Sequence, residues 1–148
     1  MSKRFLLGAG LIIALVVSSV AFGAVATKVE FNGSFPKDPN ASITFLVKRW
    51  NGVNHKIRWW QVNNFNINCT RSGHIEWDGN ATSDAVVEHR QWESGIVDNH
   101  FQGTFRKGNR NRADGTLELT FRGIHLGHGP ENCHGGPRVF HARTVPIN

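Results

Sequence analysis

Asp98-Asn99-His100-Phe101-Gln102-Gly103-Thr104-Phe105 returns after a loop as Thr116-Leu117-Glu118-Leu119-Thr120-Phe121-Arg122-Gly123. In the first arm Phe101, Gly103 and Phe105 share one face at period two. In the second, Leu117, Leu119 and Phe121 do the same, with Glu118 and Arg122 on the opposite face. Apolar-in, polar-out alternation over both arms is the pattern of a half-buried antiparallel pair. The N-terminal part repeats the device in Phe31-Asn32-Gly33-Ser34-Phe35, followed by Ile43, Phe45 and Val47 alternating with Thr44 and Lys48. A Phe-x-Gly-(Ser/Thr)-Phe strand followed by an alternating strand therefore occurs twice, and the two hairpins are expected in opposite sheets.

Working outward, the remaining segments read as short strands separated by turns. Lys28 to Phe35 is the first, and Pro36 to Asn40 a turn. Ser42 to Trp50 follows, closed by Asn51-Gly52, the strongest hairpin signal in the chain because both residues tolerate positive φ. Lys56 to Cys69 changes phase at Asn63-Asn64, which predicts a bulge or bend between two strands. A short strand over His74 to Trp77 is expected to end at Asp78-Gly79. Ala85 to Trp92 is readable as a strand or a helical turn. Arg106 to Gly115 reads as a ten-residue loop, and Gly135-Gly136-Pro137 as a turn before a closing strand from Arg138 to Thr144. Many short strands with Gly/Asn/Pro punctuation and little helical periodicity predict an all-β, antiparallel β-sandwich, with a small closed barrel as the alternative.

Upstream of this domain, residues 5–26 carry no charged side chain and follow Lys3 and Arg4. A basic start, the apolar run Leu6 to Val17 and Ala24-Val25-Ala26 form a secretory signal with an A-x-A cleavage site. An uncleaved membrane anchor is the competing reading. Cleavage leaves a single 122-residue domain, Thr27 to Asn148, and lowers the formal charge from +6 to +4. The location expected is secreted or cell envelope, with no membrane attachment after cleavage and a monomeric state.

Cys69 and Cys133, the two cysteines of the chain, read as one disulfide in an oxidising compartment.

With these residues placed, the chain resembles a family of small exported β-domain proteins from actinobacteria and related bacteria. The matching elements are the signal segment, the strand Phe31 to Phe35, and Ser42 to Phe45. Asn64, Phe65 and Cys69, the second strand Phe101 to Phe105, Gly115 to Leu117, and Cys133, Phe140 and Ala142 complete them. The resemblance implies a disulfide-bonded β domain and carries no active residue, because the family's members are uncharacterised. The chain departs from it in its His and Trp content after residue 48.

Residue chemistry adds candidates. Five Trp in a chain without Tyr raise the question of an aromatic binding face. Adjacent Trp59 and Trp60 must point to opposite sides of a strand, so one is core and the other free to stack on a sugar ring. Arg106, Lys107, Arg110 and Arg112 are candidates for gripping an anionic polymer, since guanidinium groups pair with phosphates bidentately; a solvated loop is the ordinary reading. His125, His128 and His134, around Glu131, have donor types that suit Zn²⁺ or Cu²⁺ but lack the fixed helical face of a metal motif. No metal and no cofactor are expected. No G-x-S-x-G, H-E-x-x-H, P-loop or paired-carboxylate motif occurs. The surviving enzyme reading is a basic secreted hydrolase of an anionic polymer such as RNA, with Glu88, His89, His100, Glu118 and Arg122 available for acid–base work. The expected function is a non-catalytic extracellular or envelope binding domain whose partner is an anionic polymer or a glycan.

Overall fold

The computed structural model describes residues 25–96, 98–127 and 129–146. The predicted export segment thus lies almost wholly outside the described residues, and so does His128. Eight antiparallel strands follow in chain order: β1 (Ala26–Phe35), β2 (Asp38–Trp50), β3 (Val53–Cys69), β4 (Gly73–Thr82), β5 (Gln91–Ile96), β6 (Asn99–Arg106), β7 (Asn109–His125) and β8 (Pro130–Val145). They form one sheet in the order β4-β3-β2-β1-β8-β7-β6-β5. The sheet folds over so that its β1–β4 half faces its β5–β8 half, giving the expected all-β, sandwich-like fold; it is not a clear barrel, because β4 and β5 remain its two ends.

Inward positions follow the period-two reading. Ile43, Phe45 and Val47 of β2, Phe101 and Phe105 of β6, and Leu117 and Leu119 of β7 are fully or almost fully buried. Phe45 and Phe101 meet edge to face at 5.4 Å, and Phe31 of β1 meets Phe105 of β6 at 5.4 Å, so the two motif strands face each other across the core. The glycine in Phe-x-Gly-x-Phe now has a reason. A Cβ at Gly103 would collide with the Trp92 indole, and one at Gly33 would crowd Ala142 and Ile43. Bare backbone at the middle of the motif lets a neighbouring side chain lie against the strand.

Hairpins set the lengths. Asn51 (φ 48°) and Gly52 (φ 73°) form the expected turn with both central residues at positive φ. Several expected boundaries move outward. The Lys56 to Cys69 segment is one strand, with its irregularity between Val62 and Phe65 as read at Asn63-Asn64, where Asn64 sits at φ 51°. β4 does not stop at Asp78-Gly79. Asp78 accepts the Asn64 backbone N–H at 2.6 Å, and Gly79 leaves room for the Trp77 ring to lie over it. The ten-residue loop is a tight turn at Lys107-Gly108, with β7 starting at Asn109. Gly135-Gly136-Pro137 does not end a strand but lies within β8, opposite an irregularity of β7 between Leu117 and Leu119. Of the ambiguous Ala85 to Trp92 stretch, Gln91 and Trp92 open β5, whereas the 83–90 segment is neither helix nor regular strand. It borders β3 through Ile57 N–H to Ala85 O and Val87 N–H to His55 O, both 2.9 Å, and then reaches β6 through Phe105 N–H to Arg90 O.

At the opposite end β3 also pairs with β8, Asn68 with His134 and Cys69 with Cys133, and the Cys69–Cys133 disulfide lies on that pairing. Glu131, buried beside it, accepts the backbone N–H groups of Arg71 (3.0 Å) and Ser72 (2.9 Å) and the Ser72 hydroxyl (2.6 Å), so its carboxylate holds the β3–β4 turn. A second buried carboxylate, Asp38, pairs with Arg138 and accepts from Asn66 Nδ2 at 2.7 Å, tying β2 to β3 and β8.

Candidate functional site

With the core filled by aromatic rings, the chemistry of this protein lies on the outer faces of the sheet. On the β1–β4 half, Lys28, Lys48 and Lys56 stand in one cross-strand row, and Glu30, Leu46, Trp59 and Thr82 in the next. Like charges directly opposite each other in a sheet are destabilising, so the lysine row costs stability. Lys56 is offset by Asp84 at 3.1 Å, which Arg58 also contacts at 2.9 Å. That hydrogen bond and attraction from Lys56, aided by Arg58, hold the Asp84 carboxyl below its ordinary range. Lys48 lies 5.8 Å from the centre of the exposed Trp50 ring. Lys28 has no carboxylate partner among the described residues. Lys28 and Lys48 border a cleft of about 540 Å³ that includes Leu46, Arg58 and Trp59.

Opposite orientations of the tryptophan pair are observed. Trp60 is buried against Phe101 at 5.7 Å and is a core residue, unavailable to a ligand, whereas Trp59 is half-buried on the outer face. The four loop cations do not act as a group. Arg106 makes a two-point contact with Asp114, at 2.7 and 2.9 Å. Lys107 sits exposed in the turn. Arg110 spends its side chain on Gly52 O, while its own carbonyl accepts from Arg49 (2.9 Å) and Asn54 (3.0 Å), which locks the β2–β3 and β6–β7 hairpin tips together. Partial burial, with repulsion from Arg110, lowers the Arg49 pKa. Arg112 faces a neighbouring cation, Arg143, across the β7–β8 pairing.

The next outward pair on those strands is Asp114 and His141. His141 Nδ1 lies 2.6 Å from Asp114 Oδ1. The Arg106 hydrogen bonds, then that of His141, pull the Asp114 pKa down to about 2 from 3.8, against some desolvation. Asp114 is an acceptor over almost the whole pH range, so Nδ1 carries the proton and Nε2 is left outward. A depressed carboxylate pKa stabilises the fold above the unfolded-state value, and that contribution is lost as pH falls from about 3.8 through about 2. Asp114→Asn is therefore expected to flatten the loss of stability in that window, measured as urea midpoints between pH 5 and pH 2; solvent screening keeps the effect small.

The histidine candidates separate. His125 is exposed at the end of β7. His134 is held by Thr120 Oγ1 and Gly136 O, both at 3.0 Å, with Glu118 at 3.8 Å. Glu131 is turned inward as described. Among the described residues, the one set of three potential ligand atoms within 4.8 Å is Cys69, Glu131 and Cys133, and both sulfurs are consumed by the disulfide. Of the acid–base candidates, His100 and Glu118 are cross-strand partners, Arg122 is paired with Asp98 at 3.0 Å, and Glu88 and His89 lie apart in the 83–90 segment. The Asp114–His141–Arg143 grouping escaped sequence reasoning because 27 residues separate Asp114 from His141 and only the β7–β8 register joins them. Comparison of the chain with protein-family models, curated proteins and solved structures found no match.

Proposed function

We propose that this protein is an exported, non-catalytic binding domain of the extracellular space or cell envelope, and that its partner is an anionic polymer. The observation that carries the reading is Lys28 opposite Lys48 beside the outward Trp59, with Asp84 compensating Lys56 and Arg58 but not these two lysines. Such a surface combines charge attraction for a polyanion with an aromatic face for a base or sugar ring. Export is supported by the segment before residue 26, and the Cys69–Cys133 disulfide is compatible with an extracytoplasmic location. Membership of the actinobacterial family of exported β domains, and the monomeric state, belong to the same proposal.

Retention on RNA and on acidic cell-wall polymers tests the reading. Affinity is expected to fall steeply with salt, and Lys28→Gln with Lys48→Gln should flatten that dependence. Trp59→Ala should weaken binding by a further amount of about 1–3 kcal/mol, the usual worth of one stacked ring, while leaving the melting temperature within a few degrees. Absence of retention on every polymer at low salt would end the proposal. A second reading, hydrolysis of an anionic polymer, is favoured by the Asp114-oriented imidazole of His141; it requires shortened product in the same incubations, lost in His141→Ala.

A further inference from the structure

Arg112 and Arg143 are register partners on β7 and β8, both exposed, and neither has a carboxylate partner among the described residues. Register places the two side chains on one face of adjacent strands, bordering one depression, where an anion could be attracted by both guanidinium groups. His141, the next outward residue along β8, is held through Nδ1 by Asp114, so its Nε2 faces away from the carboxylate. The negative charge of Asp114 is itself engaged by Nε and Nη2 of the Arg106 guanidinium. Arg106, Arg112 and Arg143 against Asp114 leave an excess of positive charge in this patch even with a neutral imidazole.

β1 supplies neutral donors at the same level. Asn32 is the register partner of Arg143, and Ser34 of His141. The Asn32 carbonyl oxygen accepts from the Thr44 hydroxyl at 2.9 Å, which leaves its amide N–H groups for another acceptor. These residues border a depression of about 640 Å³, ample for a tetrahedral anion.

We propose that Arg112, Arg143 and His141, with Asn32 and Ser34, form a discrete site for a tetrahedral oxyanion, the phosphate or sulfate group of an ester. Asp114 and Arg106 are positioning residues, since they act through the imidazole and touch no ligand. Two guanidinium groups with an imidazole and an amide offer donors in several directions, which suits a tetrahedral group with three terminal oxygens better than a planar carboxylate. The site shares no residue with the Trp59 cleft, so it stands or falls separately from the polymer reading.

The test titrates the protein with inorganic sulfate, inorganic phosphate and, at equal ionic strength, chloride, following the ¹⁵N and ¹H signals of the His141 ring. Sulfate and phosphate are expected to give saturable shifts that chloride does not reproduce. Arg112→Gln and Arg143→Gln should each weaken sulfate binding at least tenfold, whereas Lys28→Gln with Lys48→Gln should leave it unchanged. Each variant's melting temperature is read alongside; if Arg143→Gln unfolds, Arg112→Gln carries the comparison. Shifts identical to those of chloride, or sulfate shifts that survive the arginine changes, overturn the site. Capture of a phosphate or sulfate ester over its unmodified parent then distinguishes an ester ligand from the free ion, and equal capture of both overturns the ester assignment.

Discussion

Replacing Phe101 by alanine is expected to cost about 3–5 kcal/mol, the usual range for a fully buried phenylalanine whose cavity cannot collapse. Its ring lies within 6 Å of four others, those of Phe45, Trp60, Trp92 and Phe140, contributed by strands β2, β3, β5 and β8. Rigid rings around the deletion cannot fill it, so the upper part of the range applies. Domains of this kind hold about 5–15 kcal/mol in total, so Phe101→Ala should leave a marginal fold, with a urea midpoint cut by a third or more. Phe121 supplies the comparison. On sequence pattern it belongs to the same central contact, but it is only half-buried, its recorded aromatic neighbour being Trp77 at 4.9 Å. Phe121→Ala is expected to cost clearly less. Equal losses in the two variants would show that the core is not centred on Phe101.

Removing the disulfide by Cys69→Ala with Cys133→Ala is expected to cost about 4 kcal/mol by chain-entropy reasoning, because the bond closes a segment of 64 residues. For a domain of this size that corresponds to a melting temperature lower by roughly 10–20 °C. The loss is not purely an unfolded-state effect. The bond sits where β3 also pairs with β8, a junction otherwise held by Thr70 N–H to Asn132 O at 2.9 Å, Asn132 N–H to Thr70 Oγ1 at 3.3 Å and the Glu131 carboxylate on Arg71 and Ser72. Hydrogen exchange in the double variant should therefore accelerate first at residues 68–70 and 131–134. A melting temperature unchanged by the substitutions would mean that this junction holds without the covalent bond.

How far the residues alone reach is clearest on β2 and β6. Ile43-Thr44-Phe45-Leu46-Val47 states its own buried face, because the side-chain period of a strand is two wherever the strand lies. Asn51-Gly52 announces its turn for an equally local reason, a backbone at positive φ on both residues. Strand ends were less legible. Asp78-Gly79 and Gly135-Gly136-Pro137 look like punctuation, but pairing of Gly79 with Val62 of β3, and of Gly135 with Leu119 of β7, carries both strands onward. Those partners are distant in sequence, so no local rule could foresee them.

The surface shows the same division. That one of Trp59 and Trp60 must face outward followed from their adjacency; that it is Trp59 required the Phe101 ring against Trp60. The cations of residues 106–112 were visible as a charge-rich stretch, but their partners were not. Asp114 takes Arg106, Gly52 takes Arg110, and Arg143 comes to face Arg112 only after the chain has run through β7 and turned back in β8. Local alternation, turn chemistry and cysteine count are properties of neighbouring residues, so the all-β class and the disulfide were determined by sequence. Which charges meet is set by inter-strand register, a sum over the whole sheet, and that only the tertiary structure decided.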